Sequence, residues 1–202
     1  MKIIGLTGQS GAGKGEVCSI LQKYGIPTID TDALYHRLLA ESAPLKDELI
    51  AAFGADITDA CGAIDRKRLA AAVFDGSHGS DRLHTLNAIT HKYIMAEVWA
   101  IVQDFAKKGA RAAVIDAPQL FEAGVDADCD ILLGVVAAQE LRLSRVVTRD
   151  GLSPEAVSRR FAAQHDEAFF RARCHYILEN NADTATLELA VRRFLEVSEL
   201  GL

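Results

Sequence analysis

Cysteine is scarce: only four occur in 202 residues, Cys18, Cys61, Cys129 and Cys174, with no CxxC pair and no histidines at zinc-ligand spacing. That argues against a disulfide framework or a structural zinc, and the thiols suit a reducing compartment. Long apolar runs are missing as well. No stretch reaches the roughly eighteen residues a membrane span needs, and the short run after Lys2 breaks at Gly8 without a cleavage pattern, so no export or membrane segment is expected and the cytoplasm is the expected compartment. An excess of basic charge is also lacking. The formal net charge of −6 argues against a surface built to neutralise nucleic acid, so an anion site must be local. Linkers, repeats and low-complexity tracts are absent too. Half the residues are apolar and a quarter charged, which is ample for one compact globular domain.

The apolar pattern alternates between strands and helices. Lys2 to Thr7 reads as a strand, Gly8 to Lys14 as a tight loop, and Val17, Ile20 and Leu21 recur at helical spacing. Ile26 to Ile29 is a second strand, followed by Asp30-Thr31-Asp32 and a helix through Leu34, Leu38 and Leu39. From Pro44 to Lys108 the pattern is mostly helical: Leu45, Leu49 and Phe53, then Leu69, Val73 and Phe74 after an Asp65 cap, then a long helix from Leu86 to Phe105. This block reads as an insertion. Strands return at Arg111 to Ile115 and Ile131 to Val136, with a weaker fifth at Tyr176 to Leu178, and Ser153-Pro154-Glu155 opens a further helix. Strands separated by helices predict a three-layer α/β/α architecture around a five-stranded parallel sheet.

The segment Gly8-x-x-x-x-Gly13-Lys14 lies between strand and helix, the setting in which a phosphate-binding loop acquires meaning. Glycines let backbone N–H groups converge on phosphate oxygens, the helix N-terminus adds its dipole, and the lysine reaches the β and γ phosphates. Nucleotide contacts are therefore expected from Gly8, Gly11, Ala12, Gly13, Lys14, Gly15 and Glu16. One position departs from the pattern. The hydroxyl residue that usually follows the lysine and ligates magnesium is Gly15 here. Water or a carboxylate from Glu16, Asp32 or Asp116 would have to take its place. Asp116, ending a buried strand, is the better-placed metal candidate, with an ordinary strand-end cap as its alternative.

Further fragments extend this pattern: Ile29-Asp30-Thr31-Asp32 with Arg37, Ile64-Asp65-Arg66, Pro118-Gln119-Leu120-Phe121-Glu122-Ala123-Gly124, and Arg145-x-x-x-Arg149-Asp150-Gly151-Leu152-Ser153 with Arg160 and Gln164. In order and spacing the set resembles the dephospho-CoA kinase family over nearly the whole chain. The resemblance implies a P-loop kinase fold in a single domain, 1–202, with a helical substrate-binding insertion at about 33–108 and an arginine-rich lid at about 139–174. It implies transfer of the ATP γ-phosphate to the 3′-hydroxyl of dephospho-CoA, with ATP and Mg2+ required and no nucleic-acid or membrane partner. Oligomeric state is not specified. By resemblance Asp32 is the base that orients the acceptor hydroxyl and accepts its proton. Capping of the next helix is the alternative for Asp30 and Asp32. Arg37, His91, Leu120, Phe121 and Glu122 fall on the acceptor side, although Leu120 and Phe121 also read as packing and Glu122 as a surface charge. His91 departs from the family in being followed by Lys92 rather than proline, and hydrogen-bonded packing on the helix is its alternative.

From Arg142 to Arg173 seven arginines stand against four acidic residues, with no lysine. Arginine suits two-pronged phosphate contacts in a site that excludes water. Arg142, Arg145 and Arg149 share a helical face, and Arg149 is the contact favoured by resemblance. A solvated charged face is the plainer reading. By resemblance Asn180-Asn181 corresponds to a family turn near the adenine side, but as common polar turn residues they are assigned no catalytic role. Two other functions remain compatible with the sequence. One is a nucleoside or nucleotide kinase of the same fold, and the other an ATP-binding regulator with weakened catalysis, motivated by Gly15 and Lys92.

Overall fold

The apolar runs beginning at Lys2, Arg111 and Ile131 form the three central strands of a five-stranded sheet in the computed structural model, which describes residues 1–74 and 79–200. In chain order the elements are β1 (Lys2–Gly8), α1 (Lys14–Lys23), β2 (Thr28–Asp30), α2 (Thr31–Glu41), α3 (Ala43–Phe53), α4 (Arg66–Phe74) and α5 (Gly79–Lys107). There follow β3 (Ala112–Asp116), β4 (Ile131–Val136), α6 (Gln139–Asp150), α7 (Pro154–Ala162), α8 (Glu167–Arg173), β5 (Tyr176–Glu179) and α9 (Thr184–Val197). The strand order is β2-β3-β1-β4-β5, with β1 paired in parallel to β3 and β4, and β4 to β5. β1 and β4 are buried almost throughout, as a sheet covered on both faces requires.

The chain divides into two compact units. The first, Met1–Ile29 with Val102–Leu202, contains the sheet. Its core joins Val17, Ile20 and Leu21 of α1 to Leu187, Val191, Phe194 and Leu195 of α9 across Ile4, Leu6, Val114 and Leu133. Each such side chain contributes about 1.5–3 kcal/mol on burial. Gly5 and Gly134, in mid-strand, leave room for neighbours rather than for a turn. A methyl group at Gly5 would lie 2.9 Å from both Leu120 Cδ2 and Cys129 Sγ, and one at Gly134 2.7 Å from Ile177 Cδ1.

The second unit, Asp30–Ile101, overlaps the stretch expected as an insertion without matching its bounds and has its own core of Leu39, Leu45, Leu49, Ile57, Leu69, Val73 and Ile89. A single antiparallel bridge, Thr58 to Ile64, closes the turn before α4. Phe74 departs from the helical pattern: it ends α4 and is 62% exposed rather than packed. Among the described residues no helix is long and apolar enough to cross a membrane.

Candidate active site

The phosphate loop runs from the end of β1 to α1, at the carboxyl edge of the sheet's central strand, where ligands of open α/β sheets gather. Gly8, Gly11 and Gly13 have φ values of 148°, 79° and 101°, a region that side-chain-bearing residues avoid. Space is equally restrictive, since a methyl at Gly8 would overlap the Val135 carbonyl and one at Gly13 the Asn180 amide. At Gly15, by contrast, an added Cβ would have nothing within 4 Å.

Register explains what surrounds the loop. Leu6 pairs with Asp116, so the last carboxylate of β3 is placed beside the end of β1. Lys14 Nζ stands 3.7 Å from Asp116 Oδ1, with each side chain 16% exposed. The Cys18 thiol donates to Asp116 Oδ2 at 3.6 Å. Glu16, a second carboxylate considered for metal, accepts from Thr184 Oγ1 at the start of α9. Val136 pairs with Glu179, which carries the next residue, Asn180, to the underside of the loop. Asn180 Nδ2 donates to Ala12 O at 2.9 Å, and Asn181 Oδ1 accepts from Ala138 N at 2.7 Å.

The arginines of α6 share a face in the sequence but have three different roles here. Arg142 is only 6% exposed, its guanidinium 4.4 Å from the Phe161 ring centre, and burial lowers its pKa. Arg145 donates to the backbone carbonyls of Gly11 and Asn180, at 3.3 and 3.1 Å. Arg149, exposed, lays two nitrogens on Asp150 at 2.6 and 3.0 Å, and Arg160 reaches the same carboxylate at 3.0 Å. These hydrogen bonds raise the Arg149 pKa and lower that of Asp150.

The loop after β3 separates three residues grouped by their sequence. Leu120 is fully buried against Gly5, which is the packing alternative its sequence allowed. Phe121 sits edge-on to Phe169 with ring centres 5.2 Å apart, and the Arg173 guanidinium lies 5.3 Å from its centre. Glu122 Oε1 is 3.2 Å from His165 Nε2. The turn carrying His165 also reaches the phosphate loop, since His165 O accepts from Gln9 Nε2 and Gln164 Oε1 from Ser10 N, at 3.2 and 3.1 Å. His165 had no local sequence signal, and the two bonds to the phosphate loop join residues more than a hundred positions apart.

In the second unit the capping alternative falls on one aspartate only. Asp30 Oδ1 accepts from Ala33 N at 2.9 Å and is the N-cap of α2, whereas Asp32 lies exposed in the first helical turn. Arg37 pairs with Glu97 at 2.7 Å. His91 is half-buried, and burial lowers its pKa, favouring the neutral imidazole. Lys92, where the family pattern has proline, ion-pairs with Glu48 at 2.6 Å, and Tyr93 donates to the same carboxylate at 2.7 Å, tying α5 to α3.

A glycine-lined loop on the central strand, its lysine facing a carboxylate on the neighbouring strand, defines this protein as one of the P-loop nucleotide-binding class. Comparison with known proteins narrows the class. The family model described as Dephospho-CoA kinase matches residues 2–186. A dephospho-CoA kinase of Moorella thermoacetica is 35% identical over 193 residues, covering 95% of this chain and 90% of that one. Among solved structures, TT1252 from Thermus thermophilus superposes with a TM-score of 0.80 at 33% identity, covering 96% of both chains. A dephospho-CoA kinase from Campylobacter jejuni does so with a TM-score of 0.70 at 25% identity, covering 97% of this chain and 96% of that one. The chain belongs to the dephospho-CoA kinase family.

Proposed function

We propose that this protein transfers the γ-phosphoryl group of ATP to the 3′-hydroxyl of the dephospho-CoA ribose, the last step in making coenzyme A. The bond from the ribose oxygen to the γ-phosphorus forms as the bond from that phosphorus to the β,γ-bridging oxygen breaks, leaving ADP. Asp32 takes the hydroxyl proton. Family membership supports the substrate, and the Lys14–Asp116 pair at the mouth of the loop is the observation that carries the chemistry.

Lys14 turns from Asp116 to the β and γ phosphates when nucleotide enters, while loop amides between Gly8 and Gly15 receive phosphate oxygens. Glu16 acts through Thr184 in holding the first turn of α1. Since the transition state of phosphoryl transfer is loose, positioning and charge stabilisation supply most of the rate. Asp32 suits the base role because Asp30 already caps α2, leaving the second carboxylate uncommitted to helix ends. Arg37, His91, Phe121 and Glu122 contribute to the acceptor side. Residues 139–174 form a lid in which Arg149, exposed and paired with its neighbour's carboxylate, exchanges Asp150 for phosphate.

Magnesium fits this donor set. A hard oxygen ligand is present in Asp116, and the open space at Gly15 leaves room for a water where a hydroxyl would otherwise sit. Bound there, the ion would neutralise charge on the β and γ oxygens. Cytoplasmic location follows from the same biosynthetic role.

Purified protein given ATP, Mg2+ and dephospho-CoA should release ADP in step with CoA. Phosphorylation of nucleosides or nucleotides in preference to dephospho-CoA would overturn the substrate assignment. A folded, ADP-binding preparation that turns over no acceptor would instead mark a regulator.

A further inference from the structure

Asn180 follows the edge strand β5, is 2% exposed, and sits beneath the phosphate loop. Three contacts fix it there. Its N–H donates to Val136 O at 2.9 Å, its carbonyl accepts from Arg145 Nη2, and its side-chain amide donates to Ala12 O at 2.9 Å. The side chain also occupies the space a Cβ on Gly13 would need.

Peptide groups are planar and trans, so the C=O of one residue and the N–H of the next point in opposite directions. With Ala12 O committed to Asn180, the Gly13 N–H is forced to point away from Asn180, and no described residue accepts from it. The preceding peptide differs. Its carbonyl, Gly11 O, is held by Arg145, but its N–H, that of Ala12, donates to Gln9 O at 3.0 Å and is consumed within the turn. We infer that Asn180, braced by Arg145, is a positioning residue that aims the Gly13 N–H at the nucleotide phosphates. Arg145 then acts through the loop backbone and not on phosphate directly. The inference rests on the nucleotide-binding reading above and adds to it the donor that does the binding.

The test reads that amide directly. Labelling alanine with 13C at the carbonyl and glycine with 15N selects Ala–Gly pairs, of which the sequence has two, Ala12–Gly13 and Ala123–Gly124. Adding ADP and Mg2+ to the wild-type protein should move the Gly13 resonance strongly downfield, as a hydrogen bond to an anionic oxygen does. In Asn180→Ala the shift should be largely lost, ADP affinity should fall about tenfold, and the KM for dephospho-CoA should stay within about twofold. Asn180→Ser, with a smaller polar side chain, is the second variant should the alanine protein fail to fold. A Gly13 resonance that stays fixed while other glycines report saturation by ADP would overturn the inference and leave nucleotide binding standing. Equal weakening of both substrates in a folded variant would also overturn it. If no glycine responds to ADP, the nucleotide reading itself falls.

Discussion

Lys14 Nζ lies 3.7 Å from Asp116 Oδ1, a separation set by the register that pairs Leu6 of β1 with Asp116 of β3. The carboxylate thus holds the ammonium at the loop, and in the proposed reaction it would be the residue that holds magnesium. Asp116→Asn should lower kcat by about tenfold or more and raise the Mg2+ concentration for half-maximal rate. Initial rates across a magnesium titration at saturating ATP provide the check. Wild-type kcat and magnesium dependence would reduce Asp116 to a strand-end residue.

Gly15→Ser restores the hydroxyl that phosphate loops usually carry, and a Cβ at this position would meet no atom within 4 Å. The variant should fold normally, because Gly15 lies in α1 and has no positive φ, and should need less Mg2+ than the wild type. Identical magnesium curves for the two proteins would contradict this.

Substitutions at Asp30 and Asp32 should separate stability from the proposed catalysis. Loss of the α2 cap in Asp30→Ala should cost about 1 kcal/mol, read as a lower denaturant midpoint. Asp32→Asn, which removes no cap, should keep that midpoint while kcat falls by about a hundredfold or more with ADP affinity retained. If the destabilised protein were Asp32→Asn and its kcat per folded molecule unchanged, the base assignment would be wrong.

Burial, aided by Asp128, Asp126 and Asp130, pushes the Cys129 thiol up to about 12, and burial alone takes Cys174 to about 11. Cys61, exposed, should therefore react first with a thiol reagent at pH 8, the other two only on unfolding. An unfolded thiol ionises near 9 whereas folded Cys129 holds its proton to about 12. Its contribution to stability is full below pH 9 and lost as pH rises through that window. Denaturation midpoints between pH 9 and 11 should fall more steeply for the wild type than for Cys129→Ala.

Local signals were enough for the sheet and the loop. Short apolar runs flanked by helical spacing located β1, β3, β4 and β5, and glycines at fixed intervals with Lys14 located the phosphate loop. Capping chemistry predicted Ser153 before α7, where its side chain accepts from Ala156 N. What stayed hidden was set by strand pairing. Asn180 reads as a plain turn residue until β4 and β5 register brings it under Ala12, 168 positions away. The arginines of α6 illustrate the same limit: helical periodicity put three on one face, yet neighbours from elsewhere in the chain bury one, engage the second on carbonyls and leave the third exposed. Asp30 and Asp32 stayed ambiguous because each has the chemistry of a cap, and only backbone geometry at the start of α2 chooses between them.

Gly5 is three residues upstream of the loop and lies in mid-strand, yet a Cβ there would press on Leu120, whose chain continues into Phe121 and Glu122. An alanine at this hidden strand position would be transmitted to Phe121 and Glu122, proposed above for the acceptor side, so on that proposal a mutation scored as conservative by size alone would surface as a change in which alcohols the enzyme tolerates. Survey of natural or randomised variants at this one site would therefore read out acceptor discrimination from inside the protein.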